Sequence, residues 1–378
     1  MQTISMENFE LKTEEKHSLT ILGEICEQCI VLKLANEQNP DSLVGIQQYY
    51  CLSQNVPSPE KTSIIYYKVL DEKCDTKETL LSIINDLYTE FILSGKKTHV
   101  ILEGDQATYE RLHSIRVEYG NESKWLIIFP GDWHFLKNYQ EVLIKIYFDA
   151  GLSDLARSSG YLPRSIGTNF KRTHRFLLEA WEALYRVLLR YFLSKQAPSE
   201  FLQQVSALLQ NFPPSENQAN AHRNLNELIE TIREISSDAS DFESYMSNES
   251  EQNPTLKFWL QFLFKDYLAY LALYLAMRSG NWDLRMAAIK LMGPLFTAFD
   301  RPKYSKLIPL HIKEMLSVPA DILSHLKEGR FTVSILGRAC HSIGIDEAHE
   351  MCINKDCKEY ITRPSAENMS RLASFLPT

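Results

Sequence analysis

The chain has 378 residues, 44% of them hydrophobic and 23% charged, with a formal net charge of −8 at pH 7. These values exclude a disordered chain and allow two or three domains of ordinary size. The acidic balance excludes a dedicated nucleic-acid coat, because phosphate contacts need clustered lysine and arginine, but it leaves room for a local basic groove.

Residues 1–41 stay unassigned, apart from an amphipathic stretch at 20–35 that predicts a short helix. Recurrent β-branched and aromatic side chains predict strands over 43–51 and 62–69, separated by a turn at Pro57, Ser58 and Pro59. Leu80, Ile83, Ile84, Leu87 and Phe91 have helical spacing within 76–93. A short apolar strand follows at 99–102 and stops at Glu103, Gly104 and Asp105, and a helix is predicted over 107–119. The fully apolar run 125–129 ends at Pro130, Gly131 and Asp132. Runs that do not alternate suit strands buried on both faces, as in a parallel sheet with helical crossovers. An α/β core over 42–134 is therefore expected.

From 135 to 330 the pattern is helical, with 3.6-residue spacing at 135–150, 173–194, 199–211, 221–236, 255–278 and 282–299. The acidic, serine-rich stretch 236–253 reads as a solvated linker. The apolar run 259–277 is broken by Lys265 and Asp266, so a buried helix is expected there and no membrane span. Residues 331–378 open on a strand-like Phe331, Thr332 and Val333 and return to the core. Seven scattered cysteines read as reduced thiols, and no secretory signal opens the chain, which together predict a nuclear or cytoplasmic protein.

Three places carry candidate chemistry. Asp105 lies just past the carboxyl end of a buried strand, where open α/β sheets put their sites; it is equally suited to capping the next helix. Asp132 and His134 repeat that placement one strand later. Asp346 and Glu350 stand at i and i+4 with Glu347 and His349 beside them, a spacing that puts two carboxylates on one helix face and suits Mg²⁺; the alternative is a solvated acidic turn. The letters Asp346, Glu347, Ala348 and His349 match a helicase box, but the phosphate loop a helicase needs is absent. Cys26 and Cys29 have zinc-knuckle spacing without a second pair, and Cys352 and Cys357 lie near His341 and His349. Arg164, Lys171, Arg172, His174 and Arg175 form the basic cluster suited to phosphates, or else a solvated helix start.

Glu103 to Ala107, Pro130 to Leu136, Phe148 to Leu152, Gly280 to Leu284 and Ile345 to Glu350 resemble, in order, segments of a family of transposon-related animal proteins. The resemblance covers residues 42–377. The element order also looks like that of DDE transposases, whose ribonuclease-H-like mixed sheet is interrupted by a helical insertion. That likeness implies that Asp105 is the second acid, that Asp132 and His134 stand near the family's Asp–His pair, and that Glu350 or Glu347 is the last acid. Asp105, Asp346 and Glu350 would then hold Mg²⁺ or Mn²⁺, and DNA would be the partner. The chain departs from the pattern at the first strand, where Asp41 sits in a turn and offers no first acid. Two-metal chemistry without that acid is weakened, so a degenerate, domesticated derivative binding DNA, or binding protein through the helical insertion, is expected. An active metal-dependent nuclease or strand transferase is the alternative, and an intracellular helical scaffold is the third.

Overall fold

A computed structural model describes residues 6–36, 44–65, 76–196, 200–211, 227, 230 and 241–353. In chain order its elements are α1 Thr13–Ala35, α2 Ile46–Ser53, α3 Lys77–Leu87, β1 Val100–Gly104, α4 Gln106–Tyr119 and β2 Leu126–Pro130. Next come α5 Asp132–Tyr147, α6 Ser153–Ser158, α7 Phe170–Gln196, α8 Phe201–Asn211, α9 Phe242–Glu249, α10 Pro254–Gln261 and α11 Tyr267–Ser279. α12 Trp282–Ala298, α13 Pro302–Ser317, α14 Ala320–His325, β3 Thr332–Val333, β4 Ile343–Gly344 and α15 Ile345–Ala348 complete the set. The chain divides into two compact units, one of residues 1–10, 59–136 and 293–378, the other of 11–58 and 137–292.

The first unit holds what sheet there is. β1 and β2 pair in parallel from Val100↔Leu126 to Gly104↔Pro130, with α4 as the crossover. All of β2 is buried, as an unalternating apolar run requires, and α4 turns Tyr109, Leu112 and Ile115 inward. α13 packs on β2 and α4, placing the His311 ring edge-on to Phe129 at 5.2 Å and Glu314 against Arg116. β3 and β4 form a separate two-residue antiparallel ladder, and with α15 they share a small apolar cluster of Val333, Ile343 and Ala348.

The second unit is helical. The 27-residue α7 buries Phe176, Leu177, Ala180, Trp181, Tyr185, Leu189, Phe192 and Leu193 at 3.6-residue spacing. α11 is buried almost all round, from Tyr267 to Met277, and ends on Gly280 at φ 75°, a left-handed cap glycine adopts readily. Trp181 stacks on Tyr267 at 5.6 Å and donates its indole N–H to the Leu263 carbonyl. Two ion pairs lie inside this unit, Lys290 to Glu15 at 2.8 Å and Lys33 to Glu182 at 2.6 Å. No helix among the described residues is long and apolar enough to cross a membrane.

Helix makes up 75% and strand 5% of the structure, so the protein is mostly α-helical. Among the described residues the expected α/β, ribonuclease-H-like mixed sheet does not form; the sheet they hold before residue 135 is two parallel strands. The reason is clear at 43–51. Ile46, Tyr49 and Tyr50 recur at i, i+3 and i+4, and α2 buries all three, so packing overrides the strand preference of tyrosine and isoleucine. Of the predicted strand 62–69, residues 62–65 form no regular element and the remainder lies outside the described residues. The helix expected at 221–236 also lies almost wholly outside them. Within 236–253, α9 forms instead of a solvated linker, because Asp241 accepts the Ser244 N–H as its cap while Phe242 and Met246 are buried.

Candidate functional site

β1 ends on Glu103 and Gly104, and Asp105 follows as the cap of α4, its Oδ1 accepting the Thr108 N–H at 2.9 Å. Burial alone would raise the Asp105 carboxyl, but the backbone N–H and side chain of Thr108, then the charges of His134 and Arg111, outweigh it and hold the carboxyl below its ordinary range. β2 ends one residue before Gly131, whose N–H continues the ladder to the Gly104 carbonyl at 3.1 Å. α5 then starts with Asp132, buried in its first turn, where a helix N-terminus favours an acid.

Asp346, from the far end of the chain, meets this edge. Its Oδ2 accepts the His134 N–H at 3.0 Å and His134 Nδ1 at 2.9 Å. Its Oδ1 accepts the N–H of Trp133 at 3.2 Å and of Glu347 at 3.0 Å. The Asp346 N–H in turn donates to Glu103 Oε1 at 2.9 Å. A carboxylate that receives the first N–H groups of a 16-residue helix acts as a cap supplied from outside it. Gly131 makes room: a Cβ there would overlap the Asp346 carboxylate, standing 2.8 Å from its Cγ.

Thus the edge brings together Glu103, His134 and Asp346, with Asp105 close enough to feel the His134 charge. Glu350 stands differently. α15 stops at Ala348 and the chain widens into a π-type turn over His349–Ile353, so Asp346 and Glu350 do not share a regular helix face. A divalent ion does not fit at Asp346, because that carboxylate already accepts four N–H donors, two of them from the positive end of a helix. Among the described residues no group of three or more His, Cys, Asp or Glu side chains is arranged to hold a metal. Glu103 and Gly131 join the site through the fold; a glycine at a strand-to-helix junction beside two acidic strand ends is the sequence signal that marks them.

In the helical unit, Arg164 lies in the short turn Pro163–Ser165, and Lys171 and Arg172 open α7, whose Arg172 N–H is capped by Asn169 Oδ1 at 3.0 Å. All three are exposed and none forms an ion pair among the described residues. Arg175 does pair, with Glu179 at 2.8 Å. His174 turns inward, its Nδ1 2.8 Å from the Tyr270 hydroxyl, and burial followed by the nearby Arg278 pushes its pKa down to about 4.

The cysteines also differ from expectation. Cys51 and Cys340 are each disulfide-bonded rather than free thiols. Cys26 and Cys29 are free and buried in α1, and burial is the main cause that pushes Cys29 up to about 12 and Cys26 well above its ordinary value.

A family model described as a domain of unknown function, DUF8702, matches residues 47–378. No curated protein and no solved structure shows a significant match.

Proposed function

The chain belongs to this DUF8702 family of domains of unknown function, and we propose that it works without catalysis, as a transposon-derived protein that binds DNA through the basic stretch of its helical unit. The observation that carries this reading is the state of Arg164, Lys171 and Arg172. In a chain of net charge −8, these three exposed cations have no carboxylate partner among the described residues. Unpaired cations close in sequence offer phosphates a contact that releases counterions.

The non-catalytic half rests on the sheet edge of the other unit. There Asp346 and Asp105 spend their oxygens on backbone N–H groups, which are structural tasks. The test is binding of labelled DNA by fluorescence anisotropy across a salt series, with wild type and a chain carrying Arg164→Glu, Lys171→Glu and Arg172→Glu. Wild-type affinity should fall steeply with salt, and the triple variant should bind at least tenfold more weakly. Equal binding by both chains would remove the basic stretch from the reading. Mn²⁺-dependent strand cleavage that vanishes with Asp105→Ala and Glu350→Ala would overturn the non-catalytic half.

A further inference from the structure

The strand pair that seats Asp346 is too small to hold itself. β3 and β4 share two residue pairs, Thr332↔Gly344 and Val333↔Ile343, and the apolar cluster with α15 is Val333, Ile343 and Ala348. An isolated two-stranded hairpin is marginal in water, and this one is very short. Beyond β3 the chain is pinned to Thr62, whose N–H donates to the Ser334 carbonyl at 2.8 Å while the Ser334 N–H donates to Thr62 Oγ1 at 3.0 Å. The bonds from the Gly337 N–H to Ser334 Oγ at 3.2 Å and from the His341 N–H to the Arg338 carbonyl at 3.3 Å shape the following loop from within.

Cys340 stands where this loop turns back toward β4. It is disulfide-bonded and 4% exposed, and its φ of 60° is a left-handed conformation that L side chains rarely adopt. A residue keeps such a backbone where its surroundings over-determine it, and a covalent bond through the side chain does so. A cross-link also removes freedom from the opened segment, which favours the closed one. Further along the same segment, Asp346 accepts the N–H groups of Trp133 and His134. The strained, cross-linked residue thus sits between a weak ladder and the carboxylate that this ladder positions.

We propose that the disulfide at Cys340 is a redox latch. Oxidised, it holds β4 and α15 so that Asp346 caps α5; reduced, it lets that segment open and uncovers the edge formed by Glu103 and His134. The reductant is a dithiol such as dithiothreitol. One of its thiolates attacks the S–S bond to give a mixed disulfide, and its second thiol displaces the protein sulfur. Two electrons and two protons pass to the protein, leaving Cys340 and its partner cysteine as thiols and the reductant as a cyclic disulfide. Because Cys340 is buried, the attack follows a local opening of the loop. This inference is independent of the DNA-binding reading.

The experiment follows amide hydrogen exchange in the full chain when oxidised, after reduction with dithiothreitol, and after reoxidation with oxidised glutathione, all at one pH. The N–H groups of Trp133, His134 and Glu347, which bond Asp346, should exchange about tenfold faster or more in the reduced chain and return to the slow rate on reoxidation. Those of 271–277 in the buried α11 should stay slow in all three states. Cys340→Ser should show the fast rates without reductant, and dithiothreitol should change them no further. Unchanged rates on reduction would overturn the latch, and so would equal acceleration in α11, which marks a bond that supports the whole fold. Peptide mapping without reductant should recover Cys340 linked to a second cysteine; a free Cys340 thiol would overturn the proposal. Should Cys340→Ser not fold by circular dichroism, Cys340→Gly decides, since glycine adopts a φ of 60° readily: fast rates support the latch, and slow rates overturn it.

Discussion

His134 and Asp346 lie 212 residues apart in sequence, yet one carboxylate oxygen of Asp346 accepts both the backbone N–H and the ring Nδ1 of His134. The pair ties the last described segment of the chain to the start of α5. Because Asp346 is buried and accepts four N–H groups, its loss removes a helix cap and leaves donors unsatisfied. Asp346→Ala should therefore cost about 3 kcal/mol in urea unfolding, adding a cap worth about 1 to charge-assisted bonds worth about 2. A cost below about 1 kcal/mol would mean that water replaces the carboxylate.

Gly131 should be coupled to Asp346 rather than independent of it. A methyl group at 131 meets the Asp346 carboxylate, so Gly131→Ala should destabilise by about 2 kcal/mol in wild type. In the Asp346→Ala background the obstacle is gone, and the same change should be close to neutral. Denaturant midpoints for the four chains of this cycle check the coupling, and strict additivity would contradict the geometry.

The helical unit should respond to pH in two opposite directions. His174 is held neutral to about pH 4, against 6.5 when unfolded, so its contribution is present above 6.5 and drains away as pH falls toward 4. Glu27 is raised to about 7 from 4.5, by burial first and then by Asp241 and Glu24, so its contribution is complete below 4.5 and disappears as pH rises through 7. Between 4.5 and 6.5 the two slopes oppose each other. Glu27→Gln should accordingly raise the melting temperature at pH 8 and leave it nearly unchanged at pH 4.5. Thermal melts at the two pH values decide it, and an equal shift at both would show that Glu27 does not titrate in this way.

Lys290 and Glu15 form a pair whose side chains are each 4% exposed. Removing one partner leaves a buried charge, so Lys290→Met should cost about 3–5 kcal/mol. Adding Glu15→Leu should recover most of that loss, because two apolar residues pack where two charges were. Chemical denaturation of the single and double variants measures the recovery.

Cys26 and Cys29 should resist alkylation in the folded protein, since burial keeps both as thiols at neutral pH. Peptide mapping after iodoacetamide treatment at pH 8 should find both unmodified without denaturant and modified with it. Rapid native labelling of either would place α1 differently from its buried position here.

Much of the local structure was legible from residue order alone. Unalternating apolar runs at 99–102 and 125–129 mark β1 and β2; β2 is buried throughout, as a strand with no polar side requires, whereas β1 is half-buried along its length. The broken apolar run 259–277 marks the buried α11, and three-and-four spacing marks α7. The basic residues Arg164, Lys171 and Arg172 could be named as a group, since sequence proximity on a turn and one helical turn already brings them near each other.

Tertiary structure decided the rest. The number of strands in a sheet depends on pairing between distant segments, which local preference does not encode, so 43–51 could carry strand-forming residues and still pack as α2. Which acid reaches the sheet edge was likewise settled by where the small Val333, Ile343 and Ala348 cluster seats the end of the chain, and it delivers Asp346 to His134. Composition and spacing fix which side chains are candidates and what local element holds each one. Only the folded backbone determines which oxygen meets which N–H, because that depends on long-range packing and a glycine-sized gap at Gly131.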